Sequence, residues 1–432
     1  MFKYLKQVIG ANALLRLTSY NAMAVFVRIV TGLITSKLIA FYLGPQGMAL
    51  LGELRNFLSS VQSVCTLGFL DGVVKYVSEF RTNKKELKKI LSTAYYVGFI
   101  GAILSGFTLY IGASYWNTLI FKNDYDFTYV FEIMAFSVPL YALNMFCIAI
   151  LNGFAKYKII IQLNIATNLI GVFITAALII FFNIDGAFLA AILVPAIALV
   201  LTIILILNRK DFIKYIKTAK ISKAYIIKYS SYMAMTVFSS MVSPWVYIAI
   251  RRRIIDTDGI ENAGLWDAML RLSDYYLMFV TTILTLYILP KLSRLQTAIA
   301  FRREIFNYYK TILPIFAGGL IVIYFLRGFI INLLFTPDFL AMKPIFIWHL
   351  LGDLIRVASI VLGYQFIAKN MLKHFIITQI ISLSVIYFSS IYFIDQFGFV
   401  GASMGHAFSF AFHLLMMLFI FRKQLFFKFQ PE

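Results

Sequence analysis

The sequence predicts an all-α polytopic membrane protein, and three observations lead there. The first is bulk composition. Of 432 residues, 61% are hydrophobic and 13% charged, and mean hydropathy is +0.85. A soluble domain is nearer half apolar and a quarter charged. The second is the length of the apolar runs. A bilayer core needs about 20 apolar residues per helix, and twelve runs reach that scale. The third is how the positive charge falls between those runs. A membrane β-barrel would show short strands of alternating polarity, and none is visible. Net charge is +20, which in a soluble chain would suggest nucleic acid. Here it fits Lys and Arg in short cytoplasmic loops, so no nucleic-acid partner is expected.

In chain order the predicted spans are 20–42, 47–77, 91–115, 128–153, 157–181, 185–207, 229–250, 262–290, 305–333, 342–368, 372–394 and 399–421. Span 47–77 is long and turns polar, which predicts one helix leaving the membrane. Residues 1–19 read as a basic amphipathic segment with Lys3, Lys6 and Arg16, fit to lie at the interface. No short apolar stretch ending in small residues follows them, so no removable signal peptide is expected. Cys65 and Cys147 both fall in apolar runs and read as small core residues, with neither a disulfide nor a metal site expected.

With both termini cytoplasmic, the cytoplasmic segments hold 26 Lys and Arg and the opposite side holds 5. That asymmetry predicts the orientation. The exception is Arg251–Arg253, which either caps the seventh span near the outer surface or points into a cavity.

The longest basic loop, RKDFIKYIKTAKISKAYIIK, separates six spans from six. The expected organisation is therefore an N-terminal six-helix bundle (1–208), a basic cytoplasmic linker (209–228) and a C-terminal six-helix bundle (229–432). The halves share a weak repeat. YLGPQGMALLGELRNF in one corresponds to DTDGIENAGLWDAMLRLSD in the other, aligning Gly47 with Gly264 and Arg55 with Arg271. Two like-oriented bundles are a transporter plan.

Charges inside spans are costly, at least about 2.5–3.5 kcal/mol on insertion scales. Lys37, Lys75, Lys310 and Arg327 lie near span ends, where a long side chain can reach the interface. Arg28 sits about two turns into the first span. Arg55, Asp71, Asp267, Arg271, Asp274, His349, Asp353 and Arg356 lie deeper. Asp267, Arg271 and Asp274 fall at i, i+4 and i+7, on one helix face; His349, Asp353 and Arg356 repeat the pattern. Two readings stay open. The charges form closed structural ion pairs, or they line a water-filled cavity. Eight basic residues inside spans outnumber five deep acids. Arginine forks match phosphate oxygens, so a cavity of this composition suits an anionic, phosphate-bearing lipid. His349 with its acids could also couple transport to protons.

No P-loop, GxGxxG or metal-spaced His cluster is present, and no hydrophilic segment exceeds roughly two dozen residues. A nucleotide-driven machine and a membrane enzyme of glycan assembly are both disfavoured. Neither cofactor nor metal is expected.

The stretches GLITSKLIAFYLGPQGMAL, FLDGVVKYVSEF, GLWDAMLRLSDYYLMF, YILPKLSRL and LFTPDFLAMKPIFIWHLLGDLIRV resemble the Wzx-type O-antigen and lipid III (enterobacterial common antigen) flippases, in the multidrug/oligosaccharidyl-lipid/polysaccharide exporter superfamily. The resemblance runs along nearly the whole chain. It implies twelve helices in two six-helix bundles around a central cavity. It implies a non-enzymatic transporter of the bacterial inner membrane. Its cargo would be an undecaprenyl-pyrophosphate-linked oligosaccharide, moved from the cytoplasmic to the periplasmic leaflet by alternating access. Arg28, Arg55 and Arg271 become the pyrophosphate contacts, with Asp267 and Asp274 orienting them. From the residues themselves, His349, Asp353, Arg356 and Asp71 read as coupling or structural ion pairs. A polysaccharide polymerase and a chain-length regulator become candidate partners beside the membrane lipids. The alternative on the same fold is a cation-coupled multidrug exporter, whose cavity should be acidic.

Overall fold

The computed structural model describes residues 13–80, 82–122, 125–207, 222–369 and 371–426, with the side chains of 13–20, 71 and 227–239 outside that description. The amphipathic reading of 1–19 and most of the basic linker 209–228 therefore fall largely outside it. All regular structure among the described residues is helical.

The elements run α1 (Ala13–Cys65), α2 (Leu70–Glu79), α3 (Lys84–Ile111), α4 (Ala113–Phe121), α5 (Thr128–Gly153), α6 (Tyr157–Leu207) and α7 (Lys223–Asp258). Then follow α8 (Ile260–Ile283), a π-helical turn (Leu284–Ile288), α9 (Leu289–Arg294), α10 (Ala298–Phe325), α11 (Arg327–Leu334) and a 3₁₀ turn (Pro337–Met342). The chain finishes with α12 (Ile345–Ala368), α13 (Leu372–Phe397), α14 (Val400–Ile420) and α15 (Arg422–Phe426).

Nine described helical stretches are long and apolar enough to cross a membrane. Two of these are double: α1 breaks at Gly44 (φ 62) and α6 at Asn183 (φ 48). With α7, the described helices account for the twelve predicted spans. Side chains agree with a lipid setting: Phe173, Phe181 and Phe325 are each about three-quarters exposed (74%, 77% and 76%), which water would penalise and hydrocarbon does not.

The breaks carry the internal repeat. Gly44 and Gly259 turn in the left-handed region, and so do Asn183 and Gly398; the members of each pair stand 215 residues apart. Each marks the hairpin between two successive spans. Gly and Asn are the residues that tolerate this backbone.

Two expectations about continuity change. Span 47–77 is not one helix. Leu67 (φ 46) and Gly68 (φ 62) terminate α1, a left-handed C-terminal stop, and α2 starts afresh at Leu70. Span 262–290 contains the π turn. Pro290 has no N–H and its ring crowds the carbonyl four residues back; the wider π turn ahead of it relieves that conflict.

The helices cluster into two compact units: Met1–Leu38 with Glu53–Trp245, and Ile39–Gly52 with Val246–Glu432. In the first, Phe69 just ahead of α2, Val73 and Val77 of α2, Leu87, Ile90 and Ala94 of α3 and Ile150 of α5 form one core. Tyr225 of α7 joins it, its hydroxyl donating to Glu86 at 2.9 Å. In the second, Leu277, Val280, Leu284 and Leu292 pack with Tyr308 of α10, Val361 and Phe366 of α12 and Met417 of α14.

Lipid is as apolar as leucine, so close backbone approach and polar ties do more here than in water. Gly264 shows the closeness: a Cβ there would stand 1.8 Å from the Pro45 carbonyl oxygen. Gly264→Ala must push α8 off the 39–52 segment. Overpacking of this kind costs about 1–3 kcal/mol, so the variant should melt earlier in detergent. An unchanged melting curve would contradict the packing described.

Candidate functional site

The deep charges of the second unit form two groups. The first centres on Asp267 of α8. The carboxylate is 4% exposed and Arg251 is 1% exposed. Arg251 Nε donates to Oδ2 at 2.7 Å and Nη2 to Oδ1 at 2.5 Å. This is the two-pronged geometry that planar guanidinium and carboxylate favour. The guanidinium also lies 5.6 Å from the Trp266 ring centre, and Trp266 stacks on Tyr247 at 6.1 Å. Gly52 makes room for the pair, since a Cβ there would meet Asp267 Oδ2 at 2.0 Å.

The second group centres on Asp353 of α12, which is fully buried. Its Oδ2 accepts hydrogen bonds from the Ser273 and Tyr276 hydroxyls of α8, both at 2.5 Å. His406 Nε2 of α14 stands 3.1 Å from Oδ1. Arg356 Nη1 lies 3.8 Å from Oδ1 and His349 Nε2 3.9 Å from Oδ2. One carboxylate thus ties three helices together.

The α12–α14 seam has two further polar rungs. His349 Nδ1 meets the Ser403 hydroxyl at 3.2 Å and His413 Nδ1 meets the Ser359 hydroxyl at 2.9 Å. The partner residues rise together along both chains, so the helices run parallel. Gly352 allows the contact: a Cβ would strike His406 Cδ2 at 2.3 Å and Ala407 Cα at 3.0 Å.

His349, Asp353 and His406 bring their donor atoms within 4.8 Å of one another, a grouping able to hold a metal ion. The rings, however, stack almost parallel, 4.3 Å apart at 8°. Lone pairs that run side by side do not converge on one ion. Asp353 is besides already engaged by two hydroxyls. The arrangement suits a hydrogen-bond network better than a metal centre.

The remaining predicted residues are distributed as follows. Arg271 is buried at 8% exposure on α8. Asp274 is exposed and lies in electrostatic reach of Arg356, whose guanidinium also sits 5.3 Å from the Phe410 ring. Arg28 is exposed and Arg55 half-buried; both belong to the first unit. Asp71 falls in α2, and its side chain lies outside the described residues. Of the predicted residues, the structure therefore gathers His349, Asp353, Arg356 and Asp274 in one neighbourhood, and gives Asp267 the fork of Arg251.

Sequence reasoning did not assign roles to Arg251, His406, Ser273 and Tyr276. For Arg251 a signal existed: the Arg251–Arg253 triplet sits where positive charge should be rare, and one of its members is drawn in by a buried acid.

A family model described as "Polysaccharide biosynthesis protein" matches residues 14–296. The chain belongs to this family. Among curated relatives, the lipid III flippase of Escherichia coli (strain K12) is 27% identical over 397 residues, covering 91% of the chain and 94% of the relative. The lipid III flippase of Shigella flexneri aligns equally. Among solved structures, an inward-facing multidrug resistance MATE family transporter of the MOP superfamily superposes with TM-score 0.75 at 11% identity, over 93% of this chain and 98% of that one. Lipid II flippase MurJ in an inward closed conformation gives 0.68 at 18% identity, over 93% and 87%. These likenesses show a polytopic helical membrane fold.

Proposed function

We propose that this protein is a flippase for a polyprenyl-pyrophosphate-linked oligosaccharide, an O-antigen or common-antigen repeat. It moves the lipid from the cytoplasmic to the periplasmic leaflet of a bacterial inner membrane by alternating access. The observation that carries this reading is the alignment with lipid III flippases along 91% of the chain. The 26-to-5 division of Lys and Arg supports cytoplasmic termini. The arginines within spans, Arg28, Arg55 and Arg271, support an anionic cargo. No chemical step is assigned to the protein. A polysaccharide polymerase and a chain-length regulator would act on the delivered lipid.

Arg28, Arg55 and Arg271 are the proposed pyrophosphate contacts, because their forks suit phosphate oxygens. Asp274 stays as an orienting acid near Arg356. Asp267 acts in this reading through Arg251, and His349, Asp353 and Arg356 act as a structural tie before any coupling role. Asp71 keeps its proposed place as a supporting ion pair in α2.

The cellular test is depletion. Lipid-linked oligosaccharide should build up on the cytoplasmic leaflet; undiminished delivery to the outer leaflet would reject the proposal. At residue level, Arg271→Ala should lower transport about tenfold or more, the loss of one charge-assisted contact, with normal membrane insertion. Arg271→Lys should recover only part, because one ammonium cannot reproduce the planar fork. Full activity of Arg271→Ala would remove it from the binding set.

A further inference from the structure

The first unit contains an apolar cavity of about 170 Å³ where the end of α1, the start of α2, α3 and α5 meet. Cys65, Thr66 and Phe69 form one wall, Ala94, Gly98 and Ala102 a second, and Pro139, Ala142 and Phe146 a third. We propose that it holds a stretch of the isoprenoid tail of the transported lipid. The inference deepens the flippase reading and rests on it.

Two polar groups of the wall are satisfied by backbone. The Thr66 hydroxyl donates to the Gln62 carbonyl at 3.0 Å and the Cys65 thiol to the same carbonyl at 3.1 Å. The residues Ala94, Gly98 and Ala102 recur every four positions, so one helix face lacks bulk over two turns, roughly 12 Å. At Gly98 a Cβ would stand 2.7 Å from the Phe69 ring. Large apolar side chains stand exposed at the rim: Tyr95, Phe99, Leu140 and Leu143. In a bilayer these face hydrocarbon, so hydrocarbon is what can enter. An apolar cavity of roughly 150 Å³ stays dry and accepts a benzene-sized group; this one is larger.

Two features select the occupant. The lining presents flat rings, with Tyr95 stacked on Phe99 at 5.9 Å and 16°. The planar double-bond units of an isoprenoid pack on such faces, whereas a straight acyl chain presents no plane. Charge gives the second. Lys84, Lys85, Lys88 and Lys89 open α3, the nearest about one turn before Ala94, and Lys156 and Lys158 lie exposed just past the end of α5. An anionic headgroup is therefore favoured at the end of the unit where the cavity lies. On the proposed orientation this end belongs to the cytoplasmic leaflet, from which the cargo loads. Because the surrounding lipid is itself apolar, shape and packing decide between tails, not transfer out of water.

The test uses the full-length protein in nanodiscs of phosphatidylethanolamine and phosphatidylglycerol. The probe is a polyprenyl pyrophosphate carrying a photoactivatable diazirine on its tail. Adducts should map to 65–70, 94–102 and 139–146. Unlabelled undecaprenyl phosphate should compete, and a phosphatidylglycerol carrying the same diazirine on an acyl chain, at equal molar amount, should label these segments far less. Ala142→Phe or Ala142→Leu fills the cavity and should cut labelling about fivefold through lost dispersion contacts, while the melting temperature holds or rises. Equal labelling by the phosphatidylglycerol probe would assign the cavity to ordinary acyl chains and overturn the proposal. Unchanged labelling of the filled variants, or adducts confined to other segments, would overturn it too. If labelling fails at the cavity but the protein still translocates lipid-linked oligosaccharide, only the tail site falls; if translocation fails, both readings fall.

Discussion

Arg251→Ala should be among the most damaging single substitutions in the chain. It removes the two donors of the fork from Asp267, a carboxylate buried at 4% exposure. Breaking a buried ion pair from one side costs about 3–5 kcal/mol. The variant should melt well below the parent in detergent and reach the membrane in reduced amount. Asp267→Ala should be nearly as severe. In the double variant no buried charge of the pair is stranded, so its loss should fall clearly short of the two single losses added together. Such non-additivity is what a thermodynamic cycle detects between contacting residues. Arg251→Lys keeps the charge but makes one contact where two exist now, and should sit between parent and Ala. Additive losses would show that the pair does not act as a unit.

Asp353→Ala comes next. One carboxylate collects Ser273, Tyr276 and His406, with Arg356 beside it. Removing it strands two hydroxyls and an imidazole in the seam of α8, α12 and α14, and takes one acidic neighbour from Arg356, which keeps Asp274 in reach. A loss of about 3–5 kcal/mol is expected, again from uncompensated buried polar groups. Asp353→Asn separates the two roles foreseen for this group. The amide keeps the shape and one accepting oxygen, yet turns an acceptor into a donor and drops the charge. As a structural tie it should lose stability and transport in parallel. Transport abolished at an unchanged melting temperature would instead assign Asp353 to ion coupling. His406→Ala, which removes a single partner, should cost about 1–3 kcal/mol.

Much of the fold was legible in the sequence because membrane spans are written in length and hydropathy, and their orientation in loop charge. The hairpin turns were partly legible too. Gly44, Gly259 and Gly398 are glycines at left-handed positions, and the sequence places glycine at or near these turns. The break at 66–69 was not legible: Leu67 adopts a left-handed backbone against its residue type, and an apolar run flows past it unmarked. The candidate site was half legible. Periodicity on one helix finds neighbours at i+3, i+4 and i+7, so it brought out Asp267, Arg271 and Asp274 together, and His349 with Asp353. It cannot see across helices. Arg251 reaches Asp267 over a hairpin, and His406 comes from a helix some fifty residues beyond Asp353. Those partners needed the packing of α7 on α8 and of α12 on α14.

The most direct measurement is translocation in sealed proteoliposomes containing undecaprenyl-pyrophosphate-linked saccharide in both leaflets. A membrane-impermeant glycosidase reports the accessible fraction. With the protein present, the inner-leaflet pool should become accessible over time, and Arg271→Ala should slow that conversion. A protected pool that persists at the level of protein-free liposomes, with the protein folded and inserted, would contradict the account.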